Sequence, residues 1–317
     1  MGFRRENYEY VEEVLMRRRQ EAERRSEKNT EEAYRLSPEL REIDRKLSST
    51  GFSLVRVAME KKDVAARVEA LKEENLALQA RRREILASLG LPENYTDVIP
   101  TCSLCRDTGR TDRGMCPCMK QLLVEAGYRS SGLGSLLKKQ SFDNFSLQYY
   151  DGEAKELAER VLSVAKDFAE TFDTTGKNLL FVGGTGLGKT HLSTAIAGRA
   201  IVRGFDVVYE TAQNVIADFE YDRFKSGYGE TESRAEKYLD CDLLIMDDLG
   251  AEITNQFTVS SLYNIINTRI NLGKSMIVNT NLGQKNLFER YDERITSRLF
   301  GEFDPYLFRG VDIRRQK

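Results

Sequence analysis

The 317-residue chain carries 48 Lys and Arg against 50 Asp and Glu, with 40% hydrophobic and 31% charged residues. That length exceeds the roughly 100–200 residues of a typical domain, so two domains and a connector are expected. No run reaches the ~18 consecutive apolar residues of a bilayer span. Met1-Gly2-Phe3-Arg4-Arg5-Glu6 lacks the apolar stretch of a signal peptide, and a soluble cytoplasmic protein without membrane contact is expected. The lone histidine, His191, excludes His-rich metal sites. Five cysteines then point to metal or thiol chemistry instead of disulfides. Basic and acidic residues number 20 and 20 in residues 1–100, 7 and 4 in 101–150, and 21 and 26 in 151–317. A protein holding duplex DNA alone normally shows a basic footprint, so any nucleic-acid contact should be local, weak or delegated to a partner.

The first 90 residues are rich in Glu, Arg, Lys, Ala and Leu and hold one proline, Pro38, so helices should dominate. Ser37-Pro38-Glu39 reads as a cap with a first-turn proline and Ser48-Ser49-Thr50-Gly51 as a break, giving helices near 4–35, 38–47 and 53–89. After Gly51 the positions Leu54, Val57, Lys61, Val64, Val68, Leu71, Asn75, Leu78, Arg82, Ile85 and Leu89 alternate three and four apart. Eight of these eleven are apolar, which is a coiled-coil seam with polar interruptions of the kind that fix register or partner. The stripe serves a self-packed helical hairpin, a docking surface for another protein, or both.

Leu91-Pro92 ends the helical region. Cys102, Cys105, Cys116 and Cys118 then form C-x2-C-x10-C-x-C, with Gly109 and Gly114 free to reverse the chain between the pairs. Four thiolates satisfy a closed tetrahedral Zn2+ site, which would be structural; a redox pair is the alternative. Cys241 reads as a small buried residue.

Beyond Phe142-Asp143-Asn144-Phe145, a helical stretch over about 152–172 leads into an α/β pattern. Short apolar runs at 179–182, 206–209, 243–246 and 275–278, with a final short strand at 306–308, suit a parallel sheet buried on both faces. Directly after the first run stand Gly183, Gly184, Thr185, Gly186, Leu187, Gly188, Lys189 and Thr190, a complete G-x-x-x-x-G-K-T loop opening a helix at His191. Successive backbone N–H groups and the helix dipole cradle phosphate there, Lys189 reaches the β- and γ-phosphates, and the Thr190 hydroxyl ligates Mg2+. The strand Leu243-Leu244-Ile245-Met246 ends in Asp247 and Asp248, the Walker B position. Asp247 is the expected magnesium carboxylate and Asp248 the group that orients or deprotonates water, with Glu252 as a competing base. Asn281, or next Asn279, is the polar side chain expected between these carboxylates and the γ-phosphate. Arg294 and Arg298 lie four apart on one helical face, and Arg314 and Arg315 follow near the end; surface ion pairing is the alternative for each.

Together Gly188 through Leu192, Asp247-Asp248-Leu249-Gly250, Thr280-Asn281-Leu282 and Arg294 through Leu299 resemble the AAA+ ATPases. Within them these segments resemble the bacterial replicative helicase loaders (DnaC/DnaI-like) and the related IstB-type transposition ATPases, over about residues 140–317. The resemblance implies a nucleotide sensor at Asn281, an arginine finger at Arg298 acting on a neighbouring subunit's ATP, and a second sensor arginine at Arg314. His191, next to the loop, is counted with the nucleotide-binding residues, but with no partner identified in the sequence a structural helix residue is the stronger reading. An aspartate at 248 departs from the glutamate common in the family, and little or no helical lid is expected after Lys317.

The expected architecture is therefore an α/β AAA+ core with a five-stranded, mostly parallel sheet over 141–317. A helical partner-binding domain over 1–95 and a zinc-binding segment over 96–140 precede it. ATP, Mg2+ and structural Zn2+ are the implied cofactors, and a finger supplied in trans implies self-association and a weak ATPase as a lone protomer. Interleaved aromatic and basic residues between 214 and 238, namely Phe219, Tyr221, Arg223, Phe224, Lys225 and Tyr228, suit single-stranded DNA or mere helical packing. The leading expectation is a loader that grips the replicative helicase and delivers it to single-stranded DNA. One rival is an IstB-like ATPase that binds duplex DNA and recruits a transposase; the other is a nucleotide-switched adaptor with little turnover.

Overall fold

The computed structural model describes residues 3–60, 64–173, 176–225 and 233–316. Lys61, Tyr228, Lys317 and the Lys225 side chain lie outside the described residues. The chain forms two compact units. One runs from Glu12 to Cys118, and the other joins the start of the chain, through Val11, to everything from Met119 onward.

The Glu12–Cys118 unit is built on three helices, α1 (Arg5–Leu36, whose first turns belong to the other unit), α2 (Pro38–Glu60) and α3 (Val64–Ser88). Ala33, Leu40, Ile43, Ile85 and Leu86 form its buried centre, lined by Tyr34, Leu47, Leu78, Leu89, Leu91 and Tyr95. Arg81 pairs with Glu39 at 2.8 Å and Arg82 with Asp44 at 2.9 Å, tying α3 to α2. Arg82, a polar member of the seam, is thus an inter-helix tie.

The expected break at Ser48–Gly51 does not occur: α2 continues to Glu60. The Ser48, Ser49 and Thr50 hydroxyls donate to the carbonyls of Arg45, Lys46 and Lys46 at 2.9, 2.8 and 3.3 Å. Hydroxyls bonded back into the preceding turn do not compete for the helical backbone, which removes the reason to stop there. The seam is consequently divided, with Leu54 and Val57 on α2 and the positions from Val64 onward along and just beyond α3.

The second unit holds a five-stranded sheet made of β3 (Leu179–Gly183), β4 (Val207–Thr211), β5 (Leu243–Leu249), β6 (Ser275–Thr280) and β7 (Asp304–Phe308). Two short strands, β1 (Arg110–Thr111) and β2 (Gly114–Met115), form a hairpin in the cysteine segment of the other unit. The main sheet has the order β4-β5-β6-β3-β7 and every pairing is parallel. Its helices are α4 (Pro117–Ser130), α5 (Leu136–Lys139), α6 (Gly152–Thr171), α7 (Lys189–Val202), α8 (Ala212–Lys225), α9 (Glu236–Asp240), α10 (Gln256–Asn271), α11 (Gln284–Arg290) and α12 (Glu293–Gly301). Alternation splits the strand side chains between two cores. Leu179 and Phe181 meet Phe168, Leu192 and Ile196 on one face; Leu180 meets Leu262, Ile266 and Leu299 on the other. Because β3 has both β6 and β7 beside it, the strand order reverses there, and the carboxyl ends of β3, β5 and β6 open on the crevice where such sheets bind ligands. Among the described residues no helix is long and apolar enough to cross a membrane.

The unit boundaries differ from those read from sequence at 95 and 140. The first turns of α1 join the sheet unit because Arg4 pairs with the buried Asp206 at 3.0 Å and donates to the Ser130 carbonyl at 2.9 Å. Burial raises the Asp206 pKa, and Arg4 opposes the shift.

Fully buried Arg269, on α10, fixes the entry to β5. Its guanidinium donates to the carbonyls of Tyr238, Cys241 and Ser275 at 2.8, 3.0 and 2.7 Å. Replacing it with methionine strands these carbonyls without a donor, so Arg269→Met should lower unfolding stability by about 3 kcal/mol or more, read as the shift of the urea midpoint.

Candidate functional site

The phosphate-binding loop between β3 and α7 is shaped by two close approaches. Gly188, at φ +90, leaves no room for a Cβ beside the Phe145 ring and the Tyr150 hydroxyl, each 2.8 Å from where it would stand. Tyr150 donates to the Leu187 carbonyl at 2.9 Å. Gly186, at φ +74, faces the Asp312 carboxylate so closely that a Cβ would overlap it, and its carbonyl accepts from the Ile313 N–H at 3.1 Å. Gly184 and Thr185 are exposed at the loop's tip, while Leu187 is buried beneath it.

Lys189 is buried, and its ammonium donates to the carbonyls of Gly183 and Gly184 at 2.7 Å each and to Asn281 Oδ1 at 2.8 Å. Burial lowers its pKa; Asp247 and Asp248 oppose that shift and Arg314 adds to it, which places Arg314 in electrical reach of the loop. The Asn281 amide also donates to Asp248 Oδ1 at 3.1 Å. One side chain therefore bridges the loop lysine and the exposed acid.

Asp247 is 4% exposed and saturated with donors. Thr190 donates to its Oδ2 at 2.9 Å and Tyr209 donates to the same oxygen; Asn279 Nδ2 and the Asp248 N–H reach Oδ1, both at 2.9 Å. Asp248 turns outward because the pairing of β5 with β6 slips between Met246 and Leu249, and Asp248 sits at φ +52 in that irregularity. Bulges commonly re-aim a side chain in this way. The two acids of the pair thus face opposite environments, one sealed and one open.

Glu252, the competing acid, is 2% exposed. It accepts from the Gly250 N–H at 2.8 Å and from the Tyr291 hydroxyl, with Arg290 3.8 Å away. Its carboxylate is committed to the β5–α10 turn. His191, beside the loop on α7, has its Nε2 2.9 Å from the Ser141 carbonyl and its ring edge-on to Phe145 at 5.2 Å. Packing of α7 against the 141–145 segment accounts for that position.

Arg298 is half-buried on α12, bonded to Asn267 Oδ1 at 2.7 Å and to the Tyr263 hydroxyl at 3.1 Å, with its guanidinium over the Tyr263 ring at 4.6 Å. Arg294 lies more open, paired with Asp292 at 2.8 Å. Arg314 pairs with Asp312 at 3.2 Å, in the short turn that covers Gly186. In the segment after β4, Phe219 is a packing residue stacked on Tyr238 at 6.4 Å. Tyr221 carries Arg234 over its ring at 3.6 Å, Arg223 covers Phe257 at 5.3 Å, and Phe224 is 76% exposed.

In the other unit Cys102, Cys105, Cys116 and Cys118 converge, with all four sulfurs within 4.8 Å of one another. The Cys102–Cys116 and Cys105–Cys118 separations are 3.7 and 3.4 Å. A tetrahedron of thiolates around Zn2+ at ~2.3 Å has edges of about 3.8 Å, so the cluster fits a metal ion. Asp107, fully buried at φ +58, accepts from the Thr101 and Cys102 N–H groups at 2.7 and 2.9 Å and ties down the first pair. The Gly109 N–H approaches Cys105 Sγ at 3.3 Å. Backbone donors, that of Cys105 first, bring the Cys102 thiol down to about 7, while burial pushes Cys118 up.

Tyr209 and Tyr150 were not legible as site residues in the sequence. Tyr209 reaches Asp247 diagonally across β4 and β5, where it stands opposite Ile245 and Thr211 stands opposite Asp247. Only the strand register reveals that pairing.

Residues 133–299 match the family of IstB-like ATP binding proteins. That stretch exceeds half of the chain, and the chain belongs to this family. A relative in Escherichia coli K12, the uncharacterized protein YdaV, is 31% identical over 182 residues, covering 57% of this chain and 69% of that protein. The replicative helicase loader DnaC of Buchnera aphidicola subsp. Acyrthosiphon pisum is 26% identical over 174 residues, 53% of this chain and 66% of its own. Its counterpart in Escherichia coli K12 is 23% identical over 180 residues, 57% and 71% respectively. The matches span about two thirds of these relatives. A crystal structure of the DnaC helicase loader superimposes with a TM-score of 0.46 at 24% identity, covering 53% of this chain and 98% of that one.

A methyl group at Gly186 collides with Asp312 and strains a left-handed backbone. Gly186→Ala should weaken ATP binding at least about tenfold in a fluorescent-nucleotide titration, with little change in the circular dichroism of the free protein.

Proposed function

We propose that this protein is an ATP-driven loader that binds a replicative helicase and hands it to single-stranded DNA. The observation that carries the proposal is the line Lys189–Asn281–Asp248, which joins the phosphate loop to an exposed acid at the sheet's edge. The matched relatives named as replicative helicase loaders support the choice of partner.

In this reading the loop from Gly183 to Thr190 holds the triphosphate through backbone N–H groups, and Lys189 exchanges its carbonyl partners for phosphate oxygens. Thr190 and Asp247 hold Mg2+, which neutralises charge on the β- and γ-phosphates. Asp248, open to solvent and oriented by Asn281, positions the attacking water and accepts its proton. Asn281 also reads the γ-phosphate, because it touches both the lysine and the acid. Arg314 lies over the loop as a second sensor, with Asp312 holding its guanidinium.

Arg298 acts on the nucleotide of a neighbouring copy. Asn267 and Tyr263 hold its side chain in a defined direction, which lowers the entropy cost of using it as a finger. Hydrolysis then depends on assembly, and an isolated protomer turns over slowly. The helical unit supplies the helicase-binding surface, and the four cysteines hold structural Zn2+ that shapes its end. Single-stranded DNA contacts Tyr221, Arg223 and Phe224 on α8. ATP favours the helicase-bound state and hydrolysis the released one, a population shift set by the γ-phosphate contacts.

The test is equilibrium binding of the purified protein to hexameric replicative helicase with ATP and with ADP. Association with ATP that weakens about tenfold with ADP is expected. No association in either state overturns the proposal, and an affinity for duplex DNA above that for single strands, at moderate salt, would turn it toward transposase recruitment.

A further inference from the structure

We propose that Tyr209 is a positioning residue for the magnesium-binding carboxylate, an assignment that rests on the ATP site described above. Asp247 Oδ2 accepts two hydroxyls, one from Thr190 and one from Tyr209. Thr190 belongs to the phosphate loop and has a role toward the metal of its own, so its hydroxyl cannot be the fixed reference for the carboxylate. Asn279 and the Asp248 N–H fix the other oxygen, Oδ1. Tyr209 is then the donor to Oδ2 that comes from outside the loop, and it sets the rotation of the carboxylate about its own axis.

The tyrosine is well placed for that task because its backbone is anchored. Its N–H donates to the Ser131 carbonyl at 2.7 Å, and Gly132, at φ +81, approaches the Tyr209 carbonyl so closely that a Cβ would overlap it. The 131–132 turn thus covers the open edge of β4 at this residue, and β5 holds the other side through the pairing of Tyr209 with Ile245. A stiff ring with two side-chain torsions carries that fixed position across the sheet face to Asp247. Outer partners of metal-binding carboxylates commonly change metal affinity about 10- to 100-fold when removed.

The experiment titrates binding of a fluorescent ATP analogue against Mg2+, for the full chain and for Tyr209→Phe, with parallel measurements in EDTA. Phenylalanine keeps the ring and removes the hydroxyl alone. The expected result is a rise of about tenfold in the Mg2+ concentration at half-saturation, with the EDTA affinity within about twofold of the parent. An unchanged Mg2+ midpoint overturns the assignment. An equal loss with Mg2+ and in EDTA also overturns it, since that marks a general packing role. Thermal unfolding of both proteins without nucleotide checks the fold, and Tyr209→Leu, which removes the ring as well, should match the Mg2+ shift of Tyr209→Phe if the hydroxyl is the active group. If the parent protein itself shows no Mg2+-dependent nucleotide binding, the reading of the site as an ATPase fails and the assignment of Tyr209 falls with it, whereas a Mg2+-dependent parent with an unshifted Tyr209→Phe overturns the assignment alone.

Discussion

A lysine ammonium buried at the carboxyl edge of a parallel sheet has to be satisfied, and most of the site's arrangement follows from how this one is. Lys189 holds two carbonyls of its own loop and the Asn281 side chain. Neutralising or stranding a buried charge costs several kcal/mol, so these partners are not incidental. They fold the loop around the ammonium and draw the end of β6 toward it. Asn281 then passes the connection to Asp248, which makes the state of the loop detectable at the acid. In the proposed ATP-bound state, a phosphate competing for Lys189 would disturb the asparagine and through it the acid.

The rest of the sheet unit supports that edge. Asp247 is held by donors from α7, β4 and β6, so this carboxylate, proposed as the magnesium ligand, cannot rotate freely. The slip between β5 and β6 separates the two acids into a sealed and an open one without interrupting the sheet. Glu252 and Tyr291 brace the turn that follows, and Arg269 anchors the other end of the same strand through the Cys241 and Asp242 carbonyls. Both ends of β5 are thus fixed by buried polar contacts, which suits the proposed role of its acid toward a reacting phosphate.

The sequence made much of this legible. The apolar runs separated by helical segments gave the parallel sheet, because strands covered on both faces need little alternation. The Gly183–Thr190 pattern and the Asp247-Asp248 pair marked two segments that meet in the fold through the Thr190–Asp247 bond, and the cysteine spacing marked a cluster whose four sulfurs do converge. What escaped depended on contacts distant in sequence. Arg4 joins the sheet unit through Asp206, 202 residues away, so no local pattern could place the first turns of α1 there. Tyr209 and Glu252 take their meaning from strand register and from Tyr291. The run Ser48-Ser49-Thr50-Gly51 looked like a stop, yet its hydroxyls fold back on the helix that carries them. Local composition shows what a segment can do, and tertiary packing decides between its options.

Asn281, as proposed, couples the phosphate loop to the acid and so distinguishes the triphosphate from the diphosphate. Competitive titration of Asn281→Ala with ATP and ADP, in the presence of Mg2+, tests this most directly. The preference for ATP over ADP should fall about tenfold or more while ADP affinity stays within about twofold. An undiminished preference in that variant would contradict that coupling.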